Sequence, residues 1–203
     1  MSSPYQGKNK SDWQAITLRL IREHPLSEKE IVDVVLISWN QIFDSKIGSF
    51  NIGKEIFPSP QIMSFLLHEL VALNLKLRHP GVYRVGVEKI DKDVVYEKNP
   101  KYSVEIKGSS NPKHIFGNRS YAQPNSKDAI KKKDGYYITI NFEKFVKNVK
   151  GKLRILLIRF GYLEHTDWIA QAAPTGQQAR LGPEVYKTKL KTIYDVTKKT
   201  RIK

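Results

Sequence analysis

The chain predicts an α/β fold: a mixed central β-sheet flanked by helices, with a helical N-terminal part. Three observations carry this. Helix-start signals recur through residues 1–80. Beyond His79-Pro80-Gly81 come segments rich in β-branched and aromatic residues. The last of these is continuously apolar from Ile155 to Ile158, as a strand covered on both faces must be. No linker-like stretch divides the chain. Residues 1–203 therefore read as a single domain, 1–80 mainly helical and 81–203 carrying the sheet and its loops.

Taken in order, Ser11 is placed to cap a helix over DWQAITLRLIREH. Ser27-Glu28-Lys29-Glu30 is a capping box that opens a helix through IVDVVLISWNQIF. Ser59 and Pro60 supply the cap and first position of a helix over QIMSFLLHELVALNL. The strands expected are VYRVGV, DVVY, YSVEIK, GYYITINF and LRILLIRFGYL. Gly182-Pro183 then introduces a last helix from Glu184 to Tyr194.

Composition excludes several classes. There is no cysteine, so neither disulfides nor thiolate zinc sites are possible, and a reducing, cytoplasmic setting is expected. MSSPYQGKNKSDW has no apolar stretch, so no signal peptide is expected, and no segment is long enough for a membrane span. Lys and Arg number 35 against 20 Asp and Glu, a net charge of +15, which suits a polyanion such as nucleic acid. The basic residues include Lys131-Lys132-Lys133 and the tail KKTRIK.

The segment KDVVYEKNPKYSVEIK, from Lys92 to Lys107, reads as a hairpin turning at Asn99-Pro100. Centred on Asn99, it puts Val95 opposite Ser103 and Asp93 opposite Glu105. Alternation then sends Val94, Tyr96, Tyr102, Val104 and Ile106 to the core, and Asp93, Val95, Ser103, Glu105 and Lys107 to the other face. Directly opposed carboxylates have Cβ atoms about 5 Å apart and repel. A divalent cation converts that repulsion into a binding site, and Mg2+ favours one or two carboxylates with waters and phosphate oxygens. An adjacent lysine can hold a water and offset charge on a phosphorane. E-x-K alone is a common surface pair; D-x11-E-x-K across a turn, in so basic a chain, points to phosphodiester hydrolysis. A one-residue slip of register would undo this.

The pattern resembles the PD-(D/E)xK nuclease superfamily, with Asp93 and Glu105 at the metal-binding positions and Lys107 at the catalytic one. Lys92 stands where that family usually has proline, which leaves Asp91 as a rival for the aspartate role. A longer likeness runs from about Pro58. FPSPQIMSFLLHE, the E-x-K strand, IFGNRSYAQ and RFGYLEHTDWIAQAAPTGQQARL together resemble the type II restriction endonucleases of the ScaI-like family. The resemblance implies Mg2+-dependent, site-specific cleavage of double-stranded DNA at a palindromic site by a homodimer, with a cognate DNA methyltransferase protecting the host. It implies the carbonyl of Ile106 as a further metal ligand, and an acidic helix residue near the metal, for which Glu69 is the candidate; an ordinary exposed glutamate reads equally well there.

The polar loops supply the expected DNA contacts. After Lys107 come Gly108, Ser109 and Ser110, suited to phosphate, then Asn118, Arg119, Ser120, Tyr121 and Gln123. A second cluster holds Gln171, Thr175, Gln177, Gln178 and Arg180. Asn and Gln can read adenine and Arg guanine, but either loop can equally hold only the backbone. His68 reads as a packed or surface histidine, His165 and Asp167 as loop structure, and the N-terminal helices with Trp13 and Trp39 as core and dimer scaffold. A structure-directed nuclease of the same fold and a non-catalytic nucleic-acid-binding protein are the competing functions.

Overall fold

The structure is a computed structural model that describes residues 3–123, 133–146, 151–173 and 175–198. Lys131, Lys132, Pro174 and the tail beyond Lys198 lie outside the described residues. Helix α1 spans Trp13–Glu23. It begins after a 3-10 turn, Lys10–Asp12, and Asp12 rather than Ser11 takes the N-cap position; the Ser11 hydroxyl turns to the Asp12 carboxylate instead. Helix α2 spans Glu28–Asp44, and the Ser27 hydroxyl accepts from the Glu30 N–H at 3.2 Å as the capping box requires. A small hairpin, β1 (Lys46–Ile47) with β2 (Phe50–Asn51), leads on to α3, Pro60–Arg78. The Ser59 side chain caps α3 and Pro60 opens it.

Strands β3 (Tyr83–Val85), β4 (Val94–Tyr96), β5 (Val104–Ser109), β6 (Phe116–Asn118), β7 (Gly135–Phe142), β8 (Ile155–Leu163), β9 (Trp168–Ala170) and β10 (Gln178–Leu181) follow, then helix α4 (Pro183–Thr188) and strand β11 (Leu190–Asp195). Six of the strands form one mixed sheet in the order β11-β8-β7-β5-β4-β3. Only β5 and β7 run parallel in it; the other neighbours are antiparallel. β6, β10 and β9 form a second, three-stranded antiparallel sheet.

The expected last helix is shorter than the sequence suggests. It ends at Thr188, and LKTIYD is a strand pairing antiparallel with β8. This run carries β-branched and aromatic residues, and pairing satisfies a backbone edge of β8 that a helix would leave open.

The main core packs α1, α2 and α3 on one face of the large sheet, through Val34, Trp39, Leu67, Leu75, Val104, Ile138 and Phe160 among others. A second core lies on the opposite face, where Tyr137 and Leu163 meet Trp168, Ala179 and Leu181 of the small sheet. β7 is therefore buried along its whole length. One close approach fixes α3 over β5: a Cβ on Gly108 would stand 2.3 Å from the Ser64 Oγ and 3.0 Å from its Cβ. The glycine after Lys107 thus lets the helix reach the strand that carries Glu105 and Lys107.

Candidate active site

β4 and β5 pair with Val94 opposite Val104, the register that sets Asp93 against Glu105. Between β4 and β5 the chain forms a 3-10 turn, Pro100–Tyr102, and the Asn99 side chain caps it by accepting from the Lys101 N–H. Val94, Val104 and Ile106 face the main core as alternation requires. The other face is less open than the sequence suggests. Glu105 is only 1% exposed, because the second core and Tyr121 close over it.

The three residues at the hairpin come together. An Asp93 carboxylate oxygen accepts from the Ile106 N–H at 2.6 Å, so the aspartate sits against the backbone between Glu105 and Lys107. Lys107 Nζ lies 2.7 Å from Glu105 Oε1, and the Tyr121 hydroxyl donates to the same oxygen at 2.6 Å. The Lys107 ammonium also stands 4.7 Å over the Tyr121 ring. Burial alone would push the Lys107 pKa down; Glu105, Tyr121 and Asp93 outweigh it and hold it well above the usual lysine value. Burial likewise raises the Tyr121 phenol, so it remains a hydrogen-bond donor.

Asp91 is engaged elsewhere. Arg84 holds it at 2.6 and 3.1 Å, and the N–H groups of Val87 and Glu88 each donate to it at 3.1 Å. The Arg84 guanidinium holds its pKa down at about 2. Its work is to fold the loop before β4. Lys92, at the usual proline position, places its ammonium 5.0 Å over the Tyr137 ring. Glu69 is half-exposed on α3 and meets His68 at 3.1 Å.

A cavity of about 270 Å³ opens beside the hairpin. Ile106, Lys107, Gly108 and Tyr121 line one side, Ser64 and His68 of α3 another, and Asn118 and Gln178 of the small sheet a third. Ser64 and His68 were not singled out from the sequence for this place, although their i, i+4 spacing puts both on the helix face that meets β5.

The two polar loops are not separate. β6 and β10 pair with Asn118 opposite Gln178, and Arg119 donates to the carbonyls of Ala173 and Gly176 at 3.2 and 3.1 Å. Gln178 and Arg180 point outward along β10 while Ala179 and Leu181 turn inward. Asn118, Ser120, Gln123, Gln171, Thr175 and Gln177 are exposed. Gln171 Oε1 accepts from the Gln178 N–H at 3.2 Å. Ser109 is buried and its hydroxyl accepts from the Asn111 N–H, so it shapes the strand exit; Ser110 beside it is half-buried. Arg159 and Asn141, which no sequence motif marked, anchor that exit. Asn141 donates to the carbonyls of Asn111 and His114, and Arg159 donates to Asn141 Oδ1 at 2.7 Å.

The carboxylate oxygens gathered here are hard donors of the kind a divalent cation takes. Among the described residues no three His, Cys, Asp or Glu cluster into a full protein cage, which leaves the rest of a coordination shell to water and phosphate.

A mixed sheet flanked by helices, with an aspartate at the start of one strand beside a Glu-x-Lys on the next, has the form of a restriction-endonuclease-like nuclease core. The family model for the ScaI restriction endonuclease matches residues 3–194. The type II restriction enzyme ScaI of Streptomyces caespitosus is 47% identical over 194 residues, 95% of this chain and 85% of that protein. The chain belongs to the ScaI restriction endonuclease family. No solved structure matches it.

Proposed function

We propose that this enzyme hydrolyses phosphodiester bonds of double-stranded DNA at Asp93, Glu105 and Lys107. Asp93, Glu105 and the Ile106 carbonyl would hold Mg2+, and Lys107 would hold the attacking water. The observation that carries the assignment is the 2.6 Å hydrogen bond from the Ile106 N–H to Asp93, beside a Glu105–Lys107 pair at 2.7 Å. Held by these residues, Mg2+ would supply Lewis-acid polarisation of the phosphoryl group and a lowered water pKa. The Lys107 ammonium orients the water in line with phosphorus and offsets charge on the phosphorane. The P–O3′ bond breaks, leaving a 5′-phosphate and a 3′-hydroxyl. Asn118 and Gln178 at the cavity rim, with Arg180 and the exposed residues of the two loops, are the candidate DNA contacts.

The whole chain acts as one endonuclease domain in this reading. Family membership supports a homodimer matched to a palindromic site, a methyltransferase that protects the host, and action in the cytoplasm. No described helix is long and apolar enough to cross a membrane. The test is a digest of unmethylated phage-length DNA with Mg2+ or EDTA. Discrete, Mg2+-dependent bands are expected. Asp93→Ala and Lys107→Ala should each remove cleavage while retaining DNA binding in a gel-shift assay. Cutting that survives both substitutions would show that the site lies elsewhere.

A further inference from the structure

Helix α3 is apolar on two faces. Met63, Leu67, Val71 and Leu75 turn into the main core. On the opposite side Ile62, Phe65, Leu73 and Leu77 are 51%, 55%, 42% and 75% exposed, with half-buried Leu66 and Leu70 between them. A surface helix of a monomer is expected to be polar there, and a contiguous apolar stripe rimmed by charge marks an interaction surface. Leu66, Leu70, Leu73 and Leu77 follow one another at steps of four, three and four, the spacing of a helix-pairing seam. The stripe continues onto α2: Gln41 bonds Asn74 and Glu30 meets Arg78, so α2 runs antiparallel alongside, and its Ile37 is exposed.

The charges on the rim identify what covers the stripe. Glu69 and Lys76 lie seven residues apart, at the same position of successive heptads and so on the same edge of the seam. Two copies of α3 paired antiparallel about a two-fold axis bring Glu69 against the partner's Lys76, and by symmetry Lys76 against the partner's Glu69. Two copies paired parallel put their Glu69 side chains on opposite flanks of the seam, where neither meets a Lys76. The stripe also begins at the cavity. The Phe65 ring packs edge-on to His68 at 5.2 Å, and His68 lines the cavity with Lys107. A second copy docked here would bring a second such cavity to the same assembly.

We propose that the outer face of α3 is the docking surface for a second copy of this chain, antiparallel, with Glu69–Lys76 pairs flanking Leu73 near the two-fold axis. The need for two sites rests on the nuclease reading; the apolar seam and its charge pattern do not.

The absence of cysteine makes the test clean. In the full chain, Leu73→Cys and Leu66→Cys are oxidised separately and run on non-reducing gels. Sedimentation of the wild-type protein gives its mass. The expected result is a particle of twice 23.4 kDa, a disulfide-linked dimer for Leu73→Cys and none for Leu66→Cys. With the axis beside residue 73, the two copies of residue 66 stand about 20 Å apart, well beyond disulfide reach. Leu77→Glu should weaken association at least ~10-fold, and Glu69→Lys should weaken it in a way that Lys76→Glu restores. Linking at both cysteines overturns the antiparallel arrangement. A wild-type monomer, or a dimer linked at neither position, overturns the surface. A monomer that still cuts DNA leaves the nuclease reading standing. A dimer linked at residue 73 that cuts no DNA keeps the surface and overturns the nuclease reading instead.

Discussion

Tyr121 joins the residues expected to meet DNA to those expected to hold the metal. Its hydroxyl gives Glu105 a hydrogen bond at 2.6 Å, and its ring packs 5.2 Å from that of Trp168 beneath the small sheet. Asn118, three residues earlier, is paired across to Gln178. One short segment thus carries both the rim of the cavity and the hydroxyl that bonds Glu105. Tyr121→Phe keeps the ring and removes the donor. Outer hydrogen bonds of this kind are worth about 10–100-fold in metal affinity. The variant should need that much more Mg2+ for half-maximal cleavage, with DNA binding in Ca2+ nearly unchanged. An unaltered Mg2+ midpoint would show that Tyr121 only packs. The sequence offered Tyr121 as a candidate DNA contact and not as a partner of Glu105, since a bond spanning sixteen residues depends on how β6 folds back.

At the scale of elements, contact between α3 and β5 decides whether the cavity forms. A Cβ at residue 108 would press into Ser64, so Gly108→Val must lift α3 from the strand. Overpacking of this kind costs about 1–3 kcal/mol. Urea unfolding should show that loss and cleavage should fall with it. Ser64→Gly in the same chain should restore part of both, since the two sites share one contact. At the other end of the sheet His24 closes α1. It is buried among Tyr102, Tyr136 and Phe160, its Nδ1 accepts from the Leu26 N–H, and its Nε2 therefore donates to the Tyr102 carbonyl. Burial lowers its pKa from 6.5 to about 4. Above pH 6.5 both states are neutral and the full stability is present. Between 6.5 and 4 only the unfolded chain takes up the proton, so stability falls with pH by about 1.4 kcal/mol per unit, on the order of 3 kcal/mol in all. His24→Asn, which cannot titrate, should flatten that part of the urea-midpoint profile; an equally steep profile would place the titrating group elsewhere. The caps of α2 and α3 and the hairpin register were legible because each is set by neighbours in sequence. The strand at β11 and the small sheet were not, because Leu190–Asp195 and the glutamine-rich run become strands only when β8 and β6 offer them an edge.

For the whole molecule the question is what binds the segment from Tyr5 through α1 to the corner between α4 and β11. Lys189, between α4 and β11, is 1% exposed and carries that link. Its ammonium pairs with Glu164 at 2.6 Å and Asp167 at 2.8 Å, and stands 4.2 and 4.4 Å from the rings of Tyr5 and Trp13. The Tyr5 hydroxyl bonds Thr17 of α1, which in turn donates to the Thr188 carbonyl. One cation thus gathers the N-terminal segment, α1, the turn after β8 and the start of β11. Burial raises the Asp167 pKa even with the ammonium beside it, so the cluster is balanced only while Lys189 is present. Lys189→Met leaves a buried carboxylate, Asp167, and a partly buried one, Glu164, with no cation between them. Breaking a buried pair from one side costs about 3–5 kcal/mol, and the midpoint of urea unfolding should fall accordingly. Adding Glu164→Gln and Asp167→Asn removes the stranded charge while keeping acceptors for the backbone N–H groups those side chains cap. That triple variant should regain most of the loss, because an ion cluster replaced as a unit is close to neutral in stability. If the single variant is as stable as the wild type, these segments are held by ring packing alone. If the triple variant is no better than the single, the ammonium's contacts with Tyr5 and Trp13 dominate, and Trp13 fluorescence should then report release of the N-terminal segment in both.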